Sequence, residues 1–231
     1  MRQKKPLIFF ILLIFLFSCS PSDKEARDAK DRLQQMEIEL SEQSFFFSVV
    51  QNQPEAVKLF LEAGMSPNTA EEDKTVLLEA CKRGYEEIGL TLIEAGSDVN
   101  AKDQYGVTCL MFSCITGSAA LIQELIDQGA DVNAKDNYAR TALIEALTTE
   151  NDFPLRTFQA LIDAGADVNV RIEGGLTPIM LAADGGAKIL RILINAGADV
   201  NARDDAGVTV LQRARDVALN LEMLKKAGAK E

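Results

Sequence analysis

Few residues in this chain of 231 could carry out covalent or metal chemistry, and histidine is absent. Its absence removes the commonest general base and the commonest metal ligand. Cysteine occurs four times, at Cys19, Cys81, Cys109 and Cys114, and the last three make a poor zinc site without histidine. We therefore predict that the protein is not an enzyme, holds no metal or cofactor and takes no small-molecule substrate.

Two acidic strings, 131–135 and 199–203, begin like calcium-binding loops, with Asp and Asn at the first and third positions. Lys135 and Arg203 then occupy the fifth position, where such a loop needs an oxygen ligand. The twelfth positions hold Ala142 and Val210 in place of the usual glutamate. We therefore predict no calcium site in either string.

The first 18 residues resemble a bacterial lipoprotein signal peptide. Arg2, Lys4 and Lys5 precede the apolar run 7–17, which is shorter than the roughly 20 residues that cross a bilayer. The run ends in Leu-Phe-Ser-Cys, which resembles a lipobox. The resemblance implies cleavage before Cys19, lipidation of Cys19 and, with serine at position 20, attachment to the periplasmic side of the outer membrane. The alternative is an ordinary signal peptide.

The mature protein would be strongly acidic. Cleavage removes three cations and no acids, which leaves 21 Lys and Arg against 35 Asp and Glu, a net charge of −14. Such a chain repels phosphate backbones, so nucleic acid is excluded as a partner. A basic partner is electrostatically favoured.

Residues 19–42 form a polar segment with some helical character. Ala26, Ala29, Leu33, Met36 and Leu40 follow a 3,4 spacing, which would suit a coiled coil. The stripe is only two heptads long, whereas a coiled coil needs three or four. We predict a helical tether whose last turn packs on the domain that follows.

From about residue 43 the chain repeats with a period near 33. The period is marked by Asp-Val-Asn strings starting at Asp98, Asp131, Asp167 and Asp199, by threonines at Thr75, Thr108, Thr141, Thr177 and Thr209, and by glycines at Gly64, Gly96, Gly129, Gly165, Gly197 and Gly228. The distance from Asn to the next Thr is constant, so length changes fall within the helical part, the largest at 148–155. With the string Gly-Leu-Thr-Pro-Ile-Met-Leu-Ala-Ala at 175–183, the pattern resembles the ankyrin repeat.

The resemblance implies an all-α solenoid of helix-turn-helix units with short β-hairpin fingers over residues 43–231. We count about six units, of which the first and last are degenerate caps. In each unit the threonine should cap the first helix and the glycine should end the second.

Cys81 and Cys114 occupy the same position in neighbouring units. A disulfide is conceivable after export, but stacked helices lie about 8–10 Å apart and a disulfide needs Cα atoms within roughly 7 Å. The spacing favours two small, reduced and buried core residues.

Proteins of this family bind partners through their fingers and the concave face of the first helices. We therefore assign six candidate partner-binding residues in the central units: Tyr105, Tyr138, Phe112, Ile115, Glu79 and Glu145. For the two tyrosines, packing on their own fingers is the alternative. We expect a monomeric protein-binding module tethered to the bacterial envelope, and a specific version of this function is an inhibitor or immunity-type protein. The alternative function is a structural scaffold that holds or stabilises another envelope protein.

Overall fold

The computed structural model describes residues 21–148 and 155–230. The predicted signal peptide with Cys19, and residues 149–154 of the predicted insertion, lie outside these ranges. Within them, no helix is long and apolar enough to cross a membrane.

The described residues form helices joined in pairs, with one short two-stranded hairpin. The helices are α1 (Pro21–Gln35), α2 (Glu42–Val50), α3 (Pro54–Glu62), α4 (Val76–Arg83), α5 (Glu86–Glu94), α6 (Cys109–Thr116), α7 (Ala119–Asp127), α8 (Ala142–Thr148), α9 (Leu155–Asp163), α10 (Pro178–Ala182), α11 (Ala187–Asn195), α12 (Val210–Arg213) and α13 (Ala218–Lys226). Strands β1 (Ala70–Glu71) and β2 (Lys74–Thr75) pair antiparallel. This mostly helical architecture confirms the predicted solenoid.

The helix pairs stack in two layers. In one layer α2, α4, α6, α8, α10 and α12 follow one another, and in the other α3, α5, α7, α9, α11 and α13 do. We number the pairs as units one to six, from α2–α3 to α12–α13. A single apolar core runs through all of them, because each helix turns its buried leucines and isoleucines toward the next unit.

Helix α1 packs against α3 at the N-terminal end of the stack. Ala29 and Leu33 are buried, whereas Met36 and Leu40 of the same sequence stripe are 47% and 42% exposed. Arg32 also forms an ion pair with Glu55. The segment before the first unit therefore contributes apolar surface to the core.

Asn68 and the asparagines of the four Asp-Val-Asn strings join neighbouring units. The Oδ1 atoms of Asn68, Asn100, Asn133 and Asn169 accept from the backbone N–H of Asp98, Asp131, Asp167 and Asp199 respectively, at 2.7–2.8 Å. Asn201 accepts in the same way from Lys230 N–H at 2.8 Å. Four of these side chains also donate to the carbonyl of a glycine that ends the next unit's second helix. We call this series the asparagine ladder; each bond contributes about 0.5–1.5 kcal/mol net.

The predicted threonine caps form in three units. The hydroxyls of Thr75, Thr108 and Thr209 accept from the backbone N–H three residues later. Those of Thr141 and Thr177 are buried and make no hydrogen bond within the described residues. All six recurring glycines have φ between +83° and +93°, which confirms that they end the second helices in the left-handed conformation.

Cys81, Cys109 and Cys114 are all free and buried, as predicted for Cys81 and Cys114. A hydrogen bond to Cys81, together with burial, raises the pKa of the Cys109 thiol well above its usual value. Burial raises the pKa of Cys114 as well. Because the thiolate is the reactive form, these cysteines are inert core residues.

Candidate functional site

The loops between units project as fingers, and each has a defined internal structure. The second finger (98–108) and third finger (131–141) are organised by Asp103 and Asp136. Oδ1 of Asp103 accepts from the N–H groups of Tyr105 and Val107, both at 2.9 Å. Oδ1 of Asp136 accepts from the N–H groups of Tyr138 and Arg140, both at 2.8 Å. These bonds fix the turns that carry Tyr105 and Tyr138.

The second and third fingers are also bonded to each other. Asn137 donates its backbone N–H to Tyr105 O at 2.9 Å and its side-chain Nδ2 to Gln104 O at 3.3 Å. Lys102 Nζ donates to Lys135 O, also at 3.3 Å. The two fingertips are thereby held in a fixed mutual arrangement.

Both candidate tyrosines are largely exposed, Tyr105 by 54% and Tyr138 by 63%. Packing against the protein, the alternative considered for these tyrosines, therefore covers less than half of the surface of each residue. Aromatic side chains exposed on rigid turns have the properties of binding hot spots. Their role in binding stays a prediction.

The structure brings Tyr105 and Phe112 together in one depression. It lies between the β1–β2 hairpin, the second finger and the first helices α4 and α6. Its lining residues are Glu72, Asp73, Lys74, Leu78, Glu79, Lys82, Asp103, Gln104, Tyr105 and Phe112. Phe112 is half-buried, and Ile115 is 41% exposed on the same helix but does not line the depression. Tyr138 lies outside it, on the next finger.

Glu79 and Glu145, two of the six candidate partner-binding residues, are buried. Their side chains are 9% and 7% exposed, and each is bonded to an arginine: Arg83 Nε to Glu79 at 2.5 Å, and Arg140 NH2 to Glu145 at 2.8 Å. Their charge is therefore largely compensated within the chain.

Glu145 is also affected by burial. Desolvation raises the pKa of this carboxyl group, and the nearby Asp136 adds to the effect, while Arg140 opposes it. A carboxylate whose charged form is disfavoured in this way is a weak source of attraction.

The fifth finger (199–209) repeats the aspartate arrangement with one addition. Oδ1 of Asp204 accepts from Ala206 and Val208 N–H, as Oδ1 does in the second and third fingers. Its Oδ2 additionally accepts from Arg213 NH2 at 2.5 Å. The hydrogen bond from Arg213 is the largest of the interactions that lower the pKa of Asp204.

Sequence reasoning missed the finger aspartates, although a signal was present. Aspartate recurs three residues after the ladder asparagine at Asp103, Asp136 and Asp204. It also missed the β1–β2 hairpin acids Glu72 and Asp73, which carry no repeat signature. In the part of the chain that the structure describes, no group of three or more acidic or sulfur side chains is arranged to hold a metal ion.

Comparison with known families gives a match to a model described as ankyrin repeats (3 copies), over residues 91–172 and 151–226. The two matches together span more than half of the chain. A search of curated proteins gives no match. Ankyrin repeats generally mediate protein–protein interaction and are typically non-enzymatic. The helix pairs, the fingers and the family match agree, and this chain belongs to the ankyrin-repeat family.

Proposed function

We propose that this protein binds a partner protein through the fingers and first helices of its central units. The observation that carries the proposal is the exposed Tyr105 beside Phe112, in a depression shared by the β1–β2 hairpin, the second finger and two helices. Ile115 and Tyr138 add exposed apolar surface next to it. A rigid, partly apolar surface with a polar rim is what protein interfaces use.

The central position follows from the architecture. The end units have a neighbour on only one side, so their outer faces must keep the protein soluble. Other large exposed apolar side chains, Phe47 and Leu219 among them, lie in the first and last units. They provide controls for any test of the centre.

We further propose that Cys19 carries lipid and tethers the module to the bacterial envelope, with the outer membrane favoured. The support is the lipobox-like string and the preceding apolar run. Several acyl chains at about 0.8 kcal/mol per buried methylene would anchor the protein stably. Cys19→Ser should abolish labelling by a fatty-acid analogue and leave the protein uncleaved or soluble. Unchanged labelling of the variant would contradict the anchor.

Within this class we favour an inhibitor or immunity-type role. The net charge of −14 after cleavage accelerates the capture of a basic enzyme or toxin. A scaffold that stabilises an envelope protein is the alternative. The two roles are separated by the recovered partner: loss of its activity on binding supports the inhibitor, and loss of the partner in a strain lacking this protein supports the scaffold.

The binding surface is tested by combining Tyr105→Ala with Tyr138→Ala. The tagged full chain is purified from envelopes, its partner is identified, and the affinities of wild type and variant are compared. If the tyrosines are hot spots, the double variant loses about 2 kcal/mol, or roughly thirtyfold in affinity. Its melting temperature should hardly change, because exposed fingertips add little to the core.

The matched control is Phe47→Ala with Leu219→Ala, which removes two exposed apolar side chains from the ends of the stack. We expect this pair to retain wild-type affinity. Wild-type affinity in a well-folded tyrosine variant, or an equal loss in the control pair, would place the binding surface elsewhere. Loss of folding in the tyrosine variant would show that the rings are structural.

A further inference from the structure

The depression beside Tyr105 has a shape and lining that suit one long side chain. It is small and only partly enclosed, with a cavity volume of about 70 Å³. Leu78, Tyr105 and Phe112 provide its apolar surface, and charged residues surround them. A ligand that fits must therefore combine an apolar stem with a charged or polar end.

The balance of charge in the lining is negative. Four carboxylates face two ammonium groups, those of Lys74 and Lys82. Two of the acids already have cationic neighbours, since Lys74 lies 3.9 Å from Glu72 and Arg83 is bonded to Glu79. Asp73 and Asp103 have no cationic partner among the described residues, and of these two only Asp103 is held in place: its Oδ1 accepts from two backbone N–H groups, which leaves its Oδ2 without a hydrogen bond or ion pair from any described residue.

The fifth finger shows what completes this arrangement. Asp204 stands at the same place in its finger as Asp103, and its Oδ1 accepts from the same two backbone positions. Arg213, four residues after the capping threonine, bonds to its Oδ2 at 2.5 Å. The residue at that place in unit three is Phe112, which cannot donate. Unit six thus supplies its own guanidinium, and unit three does not.

We propose that the depression receives an arginine side chain of the partner protein, with its guanidinium bonded to Asp103 Oδ2 and its methylene stem on Leu78, Tyr105 and Phe112. This inference rests on the proposed protein-binding function and names the chemistry that the partner must present. In the fifth finger, Arg213 of the same chain bonds to Asp204. In the second finger, an arginine of the partner protein would make the equivalent bond to Asp103.

Arginine fits better than lysine for two reasons. Its planar fork matches a carboxylate and can also donate to neighbouring acceptors, whereas lysine acts as a compact and strongly hydrated point charge. A guanidinium also stacks on aromatic rings such as those of Tyr105 and Phe112. An acidic or purely apolar side chain would leave Asp103 repelled or unpaired.

The test uses the full chain, purified in mild detergent with its tyrosines replaced by 3-fluorotyrosine. The chain has three tyrosines, so fluorine NMR gives one signal each for Tyr85, Tyr105 and Tyr138. The probes are N-acetyl-arginine amide and N-acetyl-lysine amide. We expect the arginine probe to shift the Tyr105 signal saturably, with a Kd on the order of millimolar, and the lysine probe to bind several-fold more weakly.

Two matched variants separate a specific bond from general attraction to an acidic protein. Asp103→Asn keeps an oxygen for the backbone N–H groups and removes the charge at Oδ2, so the arginine probe should bind about fivefold more weakly. Asp136→Asn makes the same change in total charge at the same place on the third finger. It should alter binding by less than about twofold.

Phe112→Arg supplies the arginine in cis, as unit six does, and should abolish the response of Tyr105 to the probe. Equal weakening in Asp103→Asn and Asp136→Asn, or a matching shift of Tyr138, would overturn the proposal. So would an unchanged response in Phe112→Arg. If the partner recovered from envelopes depends on Tyr105 and Tyr138 but not on Asp103, the arginine pocket is wrong and the proposed function stands.

Discussion

Units three and six start from the same local design and use it differently. In both, a finger aspartate accepts two backbone N–H groups and a threonine caps the next helix. Four residues after the threonine, unit six has Arg213 and unit three has Phe112. One position in the repeat thus decides whether the finger carboxylate is satisfied within the chain or left available to a partner.

The difference agrees with where each unit lies in the stack. Helix α6 packs between α4 and α8, whereas α12 packs against α10 on one side. A terminal unit needs local bonds to hold its shape, because it has fewer neighbours to bury against. An internal unit is held from both sides and can keep a polar group open for binding.

The largest expected effect tests this difference in packing. Leu110→Ala and Leu211→Ala remove equivalent side chains, 1% and 5% exposed, from α6 and α12. We expect Leu110→Ala to lower the free energy of unfolding by about 3 kcal/mol, and Leu211→Ala by roughly 1 kcal/mol less, because the end of the stack relaxes more easily. Urea unfolding followed by circular dichroism measures both. Equal costs would mean that terminal and internal units are equally constrained.

A smaller effect is expected when the internal bond of unit six is removed. Arg213→Leu keeps apolar bulk but takes away the cation that lowers the pKa of Asp204. The folded-state pKa lies below the unfolded one, so this stabilisation is present above the unfolded pKa and is lost as pH falls through the folded pKa. The variant should melt a few degrees lower than wild type at pH 7.

The two proteins should converge in melting temperature once the pH has fallen through the folded-state pKa of Asp204, where this carboxyl group is protonated in both. Asp136→Asn serves as the control, because it removes a finger charge that has no arginine bonded to its Oδ2 among the described residues. A gap between wild type and Arg213→Leu that stays constant down to acid pH would show that Arg213 stabilises by packing alone.

The repeat itself could be predicted from sequence, because its signals are backbone requirements. The recurring threonine precedes the first helix of a unit and the recurring glycine ends the second helix. Both residues meet local backbone requirements, which can be predicted from their spacing in the sequence. The asparagine ladder could not be read in this way. Asn100 and Asp131 are 31 residues apart, and only the stacking of units brings the amide to the backbone N–H.

The two glutamates show the same limit within the candidate site. Their position in the repeat made Glu79 and Glu145 candidates for partner binding, but it does not show that both are buried. The Arg83 partner of Glu79 lies at i+4 on the same helix and was legible from sequence. The partner of Glu145 is Arg140, which lies in the third finger just before α8, and the sequence spacing does not predict that contact.

The smallest expected effect concerns Glu145, whose pKa moves in the opposite direction from that of Asp204. Both carboxylates are bonded to an arginine, but at Glu145 burial outweighs the cation and raises the pKa. A raised folded-state pKa means that folding is penalised while the group is ionised, and that the penalty is relieved as pH falls through the folded pKa toward the unfolded one.

Glu145→Gln keeps an oxygen for Arg140 and removes the buried charge, so the loss of the ion pair and the relief of desolvation offset each other. We expect a change in unfolding free energy below about 1 kcal/mol at pH 7. As pH is lowered toward the unfolded pKa of glutamate, wild type should gain stability relative to the variant, the reverse of the trend for Arg213→Leu. Urea unfolding at a series of pH values measures this, and a wild-type advantage that shrinks on acidification would show that the arginine, not burial, governs Glu145.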